Sequence, residues 1–191
     1  MQGRGPSQEK PRRLRLFLYS IIQRYDVMDR IPISKQGFEK IKKELEELKA
    51  QRPAIIQAIK EAREEGDLSE NAGYDAARER QGMLEARITY INSRMPLFDV
   101  LDLDTLGGDR AIFGSTVVVE DIDTEETRRF TLLGPDDADH KNGSISVLSP
   151  MGMALLGKEV GDEAIVDAPR GRIEYEIISV EFLGSAGLNI K

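Results

Sequence analysis

Four carboxylates fall within seven residues of this chain: Glu64, Glu65, Asp67 and Glu70, in the stretch Glu64-Glu65-Gly66-Asp67-Leu68-Ser69-Glu70-Asn71. Carboxylates are hard oxygen donors, and Asp67 and Glu70, three residues apart, could share a hard cation. Mg²⁺ keeps most of its waters and takes only one or two carboxylates from a protein. Two exposed acids would therefore hold it weakly alone. They become useful as half of a two-metal phosphodiester site whose other ligands come from elsewhere. A cheaper explanation stands beside this one. Asp67 as N-cap and Glu70 at the third helical position make a capping-box-like pair, worth about 1 kcal/mol for the cap. The two roles are compatible, since Asp67 could cap while free and turn toward a metal when docked. Glu64 and Glu65 add repulsion of about 0.7 kcal/mol per like-charge pair at ~6 Å in water. Capping alone does not call for four acids, although a helix N-terminus offsets part of that cost.

Two cations flank the acids. Arg63 and Arg78 either pair locally, with Asp67 and Asp75, or form a small basic spot for a nucleic-acid phosphate. Both readings stay open. Elsewhere the chemistry is thin. The chain has no Cys, which excludes disulfides and thiolate metal sites. Its one histidine, His140, sits in a polar run and reads as surface. No phosphate-binding loop or dinucleotide fingerprint is present.

The acids need elements to carry them. Phe38, Ile41, Leu45, Leu48, Arg52, Ile55, Ile59 and Ala62 alternate spacings of three and four, an a/d seam with one polar exception. The rhythm returns in Glu70, Tyr74, Ala77, Gln81, Leu84, Ile88, Ile91 and Met95. The short connection makes the two helices antiparallel neighbours. Each is expected to run about 28 residues, or roughly 40 Å. Ser34 suits an N-cap, Pro96 a stop, and Pro53 a kink in the first helix. The seam thins from Leu, Ile and Phe at the base to Ala62, Ala77 and Tyr74 at the acidic end, a shape suited to a narrow space.

After residue 104 the period changes. Strands are expected at Ala111–Val119, Arg128–Leu133, Ser144–Leu148, Ala164–Asp167 and Ile173–Phe182, with a short helix over Pro150–Gly157. The pattern predicts an α+β chain: a helical coiled-coil hairpin over 28–104 with its acidic tip at 64–71, then a small, mostly antiparallel β domain over 105–191. Residues 1–27 read as a disordered extension. Leu14 to Tyr25 is apolar but interrupted by Arg15 and lacks a cleavage site. Met28 directly precedes the patterned region, which suggests an upstream start codon. Intact mass from the native host tests this, and a mass that includes residue 1 removes the idea.

The net charge of −7 is uneven. Residues 1–27 carry six basic and two acidic side chains, residues 28–104 carry 13 and 16, and residues 105–191 carry 8 and 16. Such acidity argues against a broad basic surface for nucleic acid, where phosphate neutralisation dominates. No apolar run approaches the ~20 residues of a membrane span, and the chain reads as soluble and cytoplasmic.

Taken together, several motifs resemble the GreA/GreB family of bacterial transcript-cleavage factors. They are Ile31-Pro32, the stretch Glu61-Ala62-Arg63 through Asn71-Ala72, Tyr74, Ala76 to Gly82, Ile112 to Val117, and Ser149-Pro150 with Leu155 to Lys158. The resemblance covers residues ~28–183. It implies a hairpin that enters the secondary channel of RNA polymerase. There Asp67 and Glu70 match the paired tip acids that share a second Mg²⁺ with the polymerase, which then cuts backtracked nascent RNA near its 3′ end. Glu64 and Glu65 support the field, and Tyr74, Arg63 and Arg78 match positions linked to tip or RNA function. The C-terminal domain would be FKBP-like and dock at the channel rim through the Ser149-Pro150 loop, without isomerase activity. The protein would act as a monomer, bind no metal tightly alone and be no enzyme itself. Two residues depart from the family pattern. Gly73 stands where an acid is common, and Gly152-Met153 stands where Ala-Arg is usual, which removes a cation from the expected docking surface. A channel-binding regulator without cleavage and a simple coiled-coil adaptor are the alternatives.

Overall fold

The computed structural model describes residues 30–64, 71–168 and 171–188. Its elements run β1 (Ile31–Ser34), α1 (Lys35–Glu64), α2 (Ala72–Arg94), β2 (Phe98–Leu101), β3 (Thr116–Asp121), β4 (Thr127–Leu133), β5 (Ser144–Ser146), α3 (Pro150–Leu155), β6 (Glu163–Ala168) and β7 (Gly171–Glu181). The α+β class and the mostly antiparallel sheet are as expected. The helices are unequal, however, at 30 and 23 residues.

The heptad reading accounts for the hairpin. Ile41, Leu45, Ile59 and Ala62 of α1 are buried, as are Ala77, Leu84, Ile88 and Ile91 of α2. The polar exception has a partner. Arg52 donates from Nε and Nη2 to the two carboxylate oxygens of Glu85, at 2.6 and 2.7 Å. A second fork joins Arg87 to Glu44 at 2.7 and 2.9 Å. These bidentate pairs hold both carboxyls below the usual range, with the arginine hydrogen bond as the largest cause. Pro53 lies inside α1, which continues through it as one helix. The Ser34 hydroxyl accepts from the Gly37 amide at 2.9 Å, the cap expected of it.

The hairpin base holds a feature that the alternation of the sequence did not suggest. β1 and β2 pair in parallel, Ile31 opposite Phe98 through Ser34 opposite Leu101. Four residues each were too short to stand out beside two long helices. The rings of Phe38 and Phe98 meet edge to face, with centroids 6.2 Å apart. Pro96 falls in a single 3₁₀ turn, Met95–Leu97, just past the end of α2.

The second domain is a five-stranded sheet in the order β5-β4-β3-β7-β6. Its pairs are antiparallel except β4 with β5. Val117, Val119, Leu132, Leu133, Ile177 and Leu155 of α3 form the centre of its core. The strand expected over Ala111–Val119 begins only at Thr116. Ahead of it Gly114 takes φ +85°, and the Ser115 hydroxyl turns back to the Ile112 carbonyl at 2.7 Å, so five apolar or small residues make a turn instead. The expected strand ends near Leu148 and Phe182 also fall short, at Ser146 and Glu181.

The two domains meet where β4 ends. A Cβ built on Gly134 would lie 1.9 Å from the Pro32 carbonyl oxygen of β1. Gly134→Ala is expected to destabilise by about 1–3 kcal/mol through overpacking. Urea unfolding measures it, and an unchanged midpoint would contradict this close approach.

Candidate functional site

At the far end of the hairpin, the residues best placed to do chemistry in the sequence lie partly outside the described structure. Glu65, Asp67 and Glu70 fall in the undescribed 65–70 segment, while Glu64, the last residue of α1, is exposed. The described residues on either side define the frame. α2 begins at Ala72, and its N-cap is Asn71, whose side chain accepts from the Tyr74 amide at 3.0 Å. The Asn71 Nδ2 donates across the hairpin to the Ala62 carbonyl at 2.8 Å. This corrects the capping reading of Asp67 and Glu70. The helix starts later than the seam pattern suggested, and an asparagine fills the role. Asp67, Ser69 and Asn71 are all favourable N-cap types, so residue type alone could not choose among them. The choice follows from two bonds made by one side chain, since Asn71 meets the Tyr74 amide and also the Ala62 carbonyl across the hairpin.

Beside the cap, Arg63 lies over the Tyr74 ring at 5.6 Å and points a guanidinium nitrogen at its hydroxyl at 3.4 Å. That hydrogen bond lowers the Tyr74 hydroxyl pKa. The other cation, Arg78, hydrogen-bonds Gln81 at 2.7 Å, one turn on, and not Asp75, its local partner in one of the two readings. Arg63, Tyr74 and Arg78 thus flank the acidic segment at the end of a thin seam closed by Ala62 and Ala77. Among the described residues no group of three or more His, Cys, Asp or Glu side chains is arranged to hold a metal.

The second expected site lies on the β domain. The Ser149 hydroxyl accepts from the Gly152 amide at 3.0 Å and donates to the Ser146 carbonyl at 2.6 Å, so it caps α3. Pro150 opens that helix and is exposed. Both border a hollow of about 540 Å³ walled by Phe130, Ile145, Val166 and Tyr175. At Gly152 the backbone packing is close. A Cβ on Gly152 would lie 2.1 Å from the Ser146 carbonyl oxygen, so in this packing the position takes glycine. Met153 beside it is 59% exposed, so an apolar side chain stands on this surface. His140 is exposed in a 3₁₀ turn, as read.

Comparison with known families decides the assignment. Residues 31–100 match the model described as "Transcription elongation factor, N-terminal", and residues 106–182 match "Transcription elongation factor, GreA/GreB, C-term". The chain belongs to the GreA/GreB transcription elongation factor family. Among its relatives, a transcription elongation factor GreA of Nitratidesulfovibrio vulgaris strain Miyazaki F is 69% identical over 158 residues, spanning 83% of this chain and 99% of that protein. A GreA of Thermodesulfovibrio yellowstonii is 52% identical over 81% of this chain and 98% of its own. One solved structure, GreA factor homolog 1 of Thermus thermophilus, is 27% identical over 80% of this chain and 99% of that one. Its TM-score is 0.38, too low to add to the assignment. No described helix is long and apolar enough to cross a membrane.

For this member of the family, Asn71 ties the helix ends together. Asn71→Ala should cost about 0.5–2 kcal/mol, the usual value of an N-cap. Hydrogen exchange should quicken first at the Tyr74 amide. Asn71→Asp keeps the acceptor for Tyr74 but loses the bond to Ala62, and should fall between the two. Unaltered exchange at Tyr74 in Asn71→Ala would refute the cap.

Proposed function

We propose that this elongation factor inserts its hairpin tip into the secondary channel of RNA polymerase and stimulates the polymerase's own cleavage of backtracked nascent RNA. It does so without being a nuclease itself. Family membership over both domains supports the transcription role. The observation that carries the mechanism is the Asn71 cap. With α2 capped there, helix capping no longer accounts for four acids at the hairpin end.

The roles divide by chemistry. Asp67 and Glu70, two hard oxygen donors, fit part of a Mg²⁺ shell and would share the ion with the polymerase, while polymerase and RNA supply the remaining ligands. When bound, such an ion lowers the pKa of its water and offsets charge on the scissile phosphate. Asp67 and Glu70 would also orient the attacking water by accepting its hydrogen bonds. Glu64 and Glu65 raise the negative potential there and help draw the cation in. Arg63, held against Tyr74, and Arg78 would meet backbone phosphates of the displaced RNA 3′ segment. The narrow Ala62/Ala77 seam keeps the delivered end slim. Ser149 and Pro150, beside the apolar hollow, would form the docking contact on the polymerase, with Met153 making that contact apolar rather than ionic. The protein would act as a monomer in the cytoplasm.

A second reading is channel binding without cleavage. Gly73 in the first turn of α2 and Met153 on the docking face are the observations that favour it. One assay separates them. With a backtracked elongation complex and Mg²⁺, the parent protein should shorten the RNA, and the protein alone should cut nothing. Asp67→Asn with Glu70→Gln should abolish cleavage while retaining polymerase binding. Slowed synthesis without shortening would support the second reading. Cleavage that survives the double substitution would overturn the tip assignment.

A further inference from the structure

The loop after β4 turns two neighbouring acids toward the hairpin base, and each meets a different part of it. Asp136 accepts from Arg94 at the end of α2, through Nε at 2.9 Å and Nη2 at 2.5 Å. Its other oxygen accepts from the Tyr90 hydroxyl at 3.0 Å. The pair is sheltered, with the Arg94 side chain 24% exposed and Asp136 10%. Tyr90 is itself held between Arg87 and Arg94, each guanidinium 5.3 Å from its ring. Asp137 accepts from the fully buried Ser34 amide at 2.9 Å, directly before α1. Its other oxygen lies 2.3 Å from where a Cβ on Gly37 would stand, so the absence of a side chain at Gly37 lets the carboxylate approach the first turn. A carboxylate there also faces the positive end of a 30-residue helix.

These contacts join α1 and α2 to one short loop of the β domain. From them we infer that Asp136 and Asp137 are positioning residues that fix the direction of the hairpin relative to the docking face. Asp136 holds α2 by a sheltered ion pair in which both Arg94 nitrogens meet one oxygen, and Asp137 holds the start of α1. With both helices pinned, the hairpin cannot swing about the segment between β2 and β3 without leaving a carboxylate or an arginine unpaired, which is costly when the group is sheltered. The consequence for cleavage rests on the function proposed above: a tip about 45 Å from the base, at ~1.5 Å per residue, magnifies any change of angle.

Because the chain has no cysteine, two introduced ones carry spin labels without further change. Met83, 64% exposed on α2, and Val160, 60% exposed on the β domain, are suitable sites. Pulsed electron spin resonance on M83C/V160C should give one narrow distance distribution. Adding D136N and D137N should broaden or split it, while circular dichroism keeps its helix and strand signals. Y90F, which removes only one hydroxyl, should give an intermediate width if the double variant folds poorly. D136E, which keeps a carboxylate, should restore most of the narrow peak lost in D136N, and D99N, on exposed β2, should leave it unchanged. A parent-width distribution in D136N/D137N, or equal broadening in D99N, would overturn the inference. In the cleavage assay the double variant should need more protein for half-maximal RNA shortening yet reach the parent rate at saturation. A narrow peak that broadens as described in a protein that never stimulates cleavage would sink the proposed function and leave the positioning role standing.

Discussion

One side chain closes both helices of the hairpin. Asn71 accepts from an amide in the first turn of α2 and donates to a carbonyl in the last turn of α1, the two places where helix ends leave backbone groups to be met from outside. Because both bonds come from one amide, the helices must approach closely there. Ala62 and Ala77 make that approach possible, since larger side chains would push the backbones apart. The described helix ends, at Glu64 and Asn71, are thus held close together.

From that end back to the base, packing and charge do different things. The apolar seam supplies burial, at roughly 25 cal/mol per Å² of apolar surface. The forks between Arg52 and Glu85 and between Arg87 and Glu44 sit at its partly open edges. Exposed pairs of this kind contribute little to stability. Their two-bond geometry matters more for which turn of α1 faces which turn of α2. At the base the parallel β1–β2 pair and the Phe38–Phe98 contact tie the ends of the hairpin together, and the loop at Gly134–Asp137 ties them to the sheet.

Much of this was legible along the chain. A seam repeating every three or four residues over eight positions admits few structures other than a helical pair, and β-branched runs after residue 104 admit few besides strands. The polar exception at Arg52 was visible, but its partner Glu85, 33 residues away, was not. The turn at Ala111–Ser115 was hidden because its composition is strand-like, and only the close quarters around Gly114, where a Cβ would press on Leu103 and Leu106, call for a glycine with positive φ. Asp136 and Asp137 read as loop polarity because nothing near them in sequence names Arg94, Tyr90 or Ser34.

The sequence by itself determined the hairpin, the kind of second domain, the family, and the concentration of acid at 64–70. All of these are written in local spacing and residue type, which act over one or two turns. Tertiary structure decided which residue caps α2, why position 152 takes glycine, and how the hairpin is held to the sheet. Each of those depends on a carbonyl, carboxylate or backbone atom brought close by a different segment. A linear pattern carries no information about such distances, and the fold sets them through the packing of whole elements.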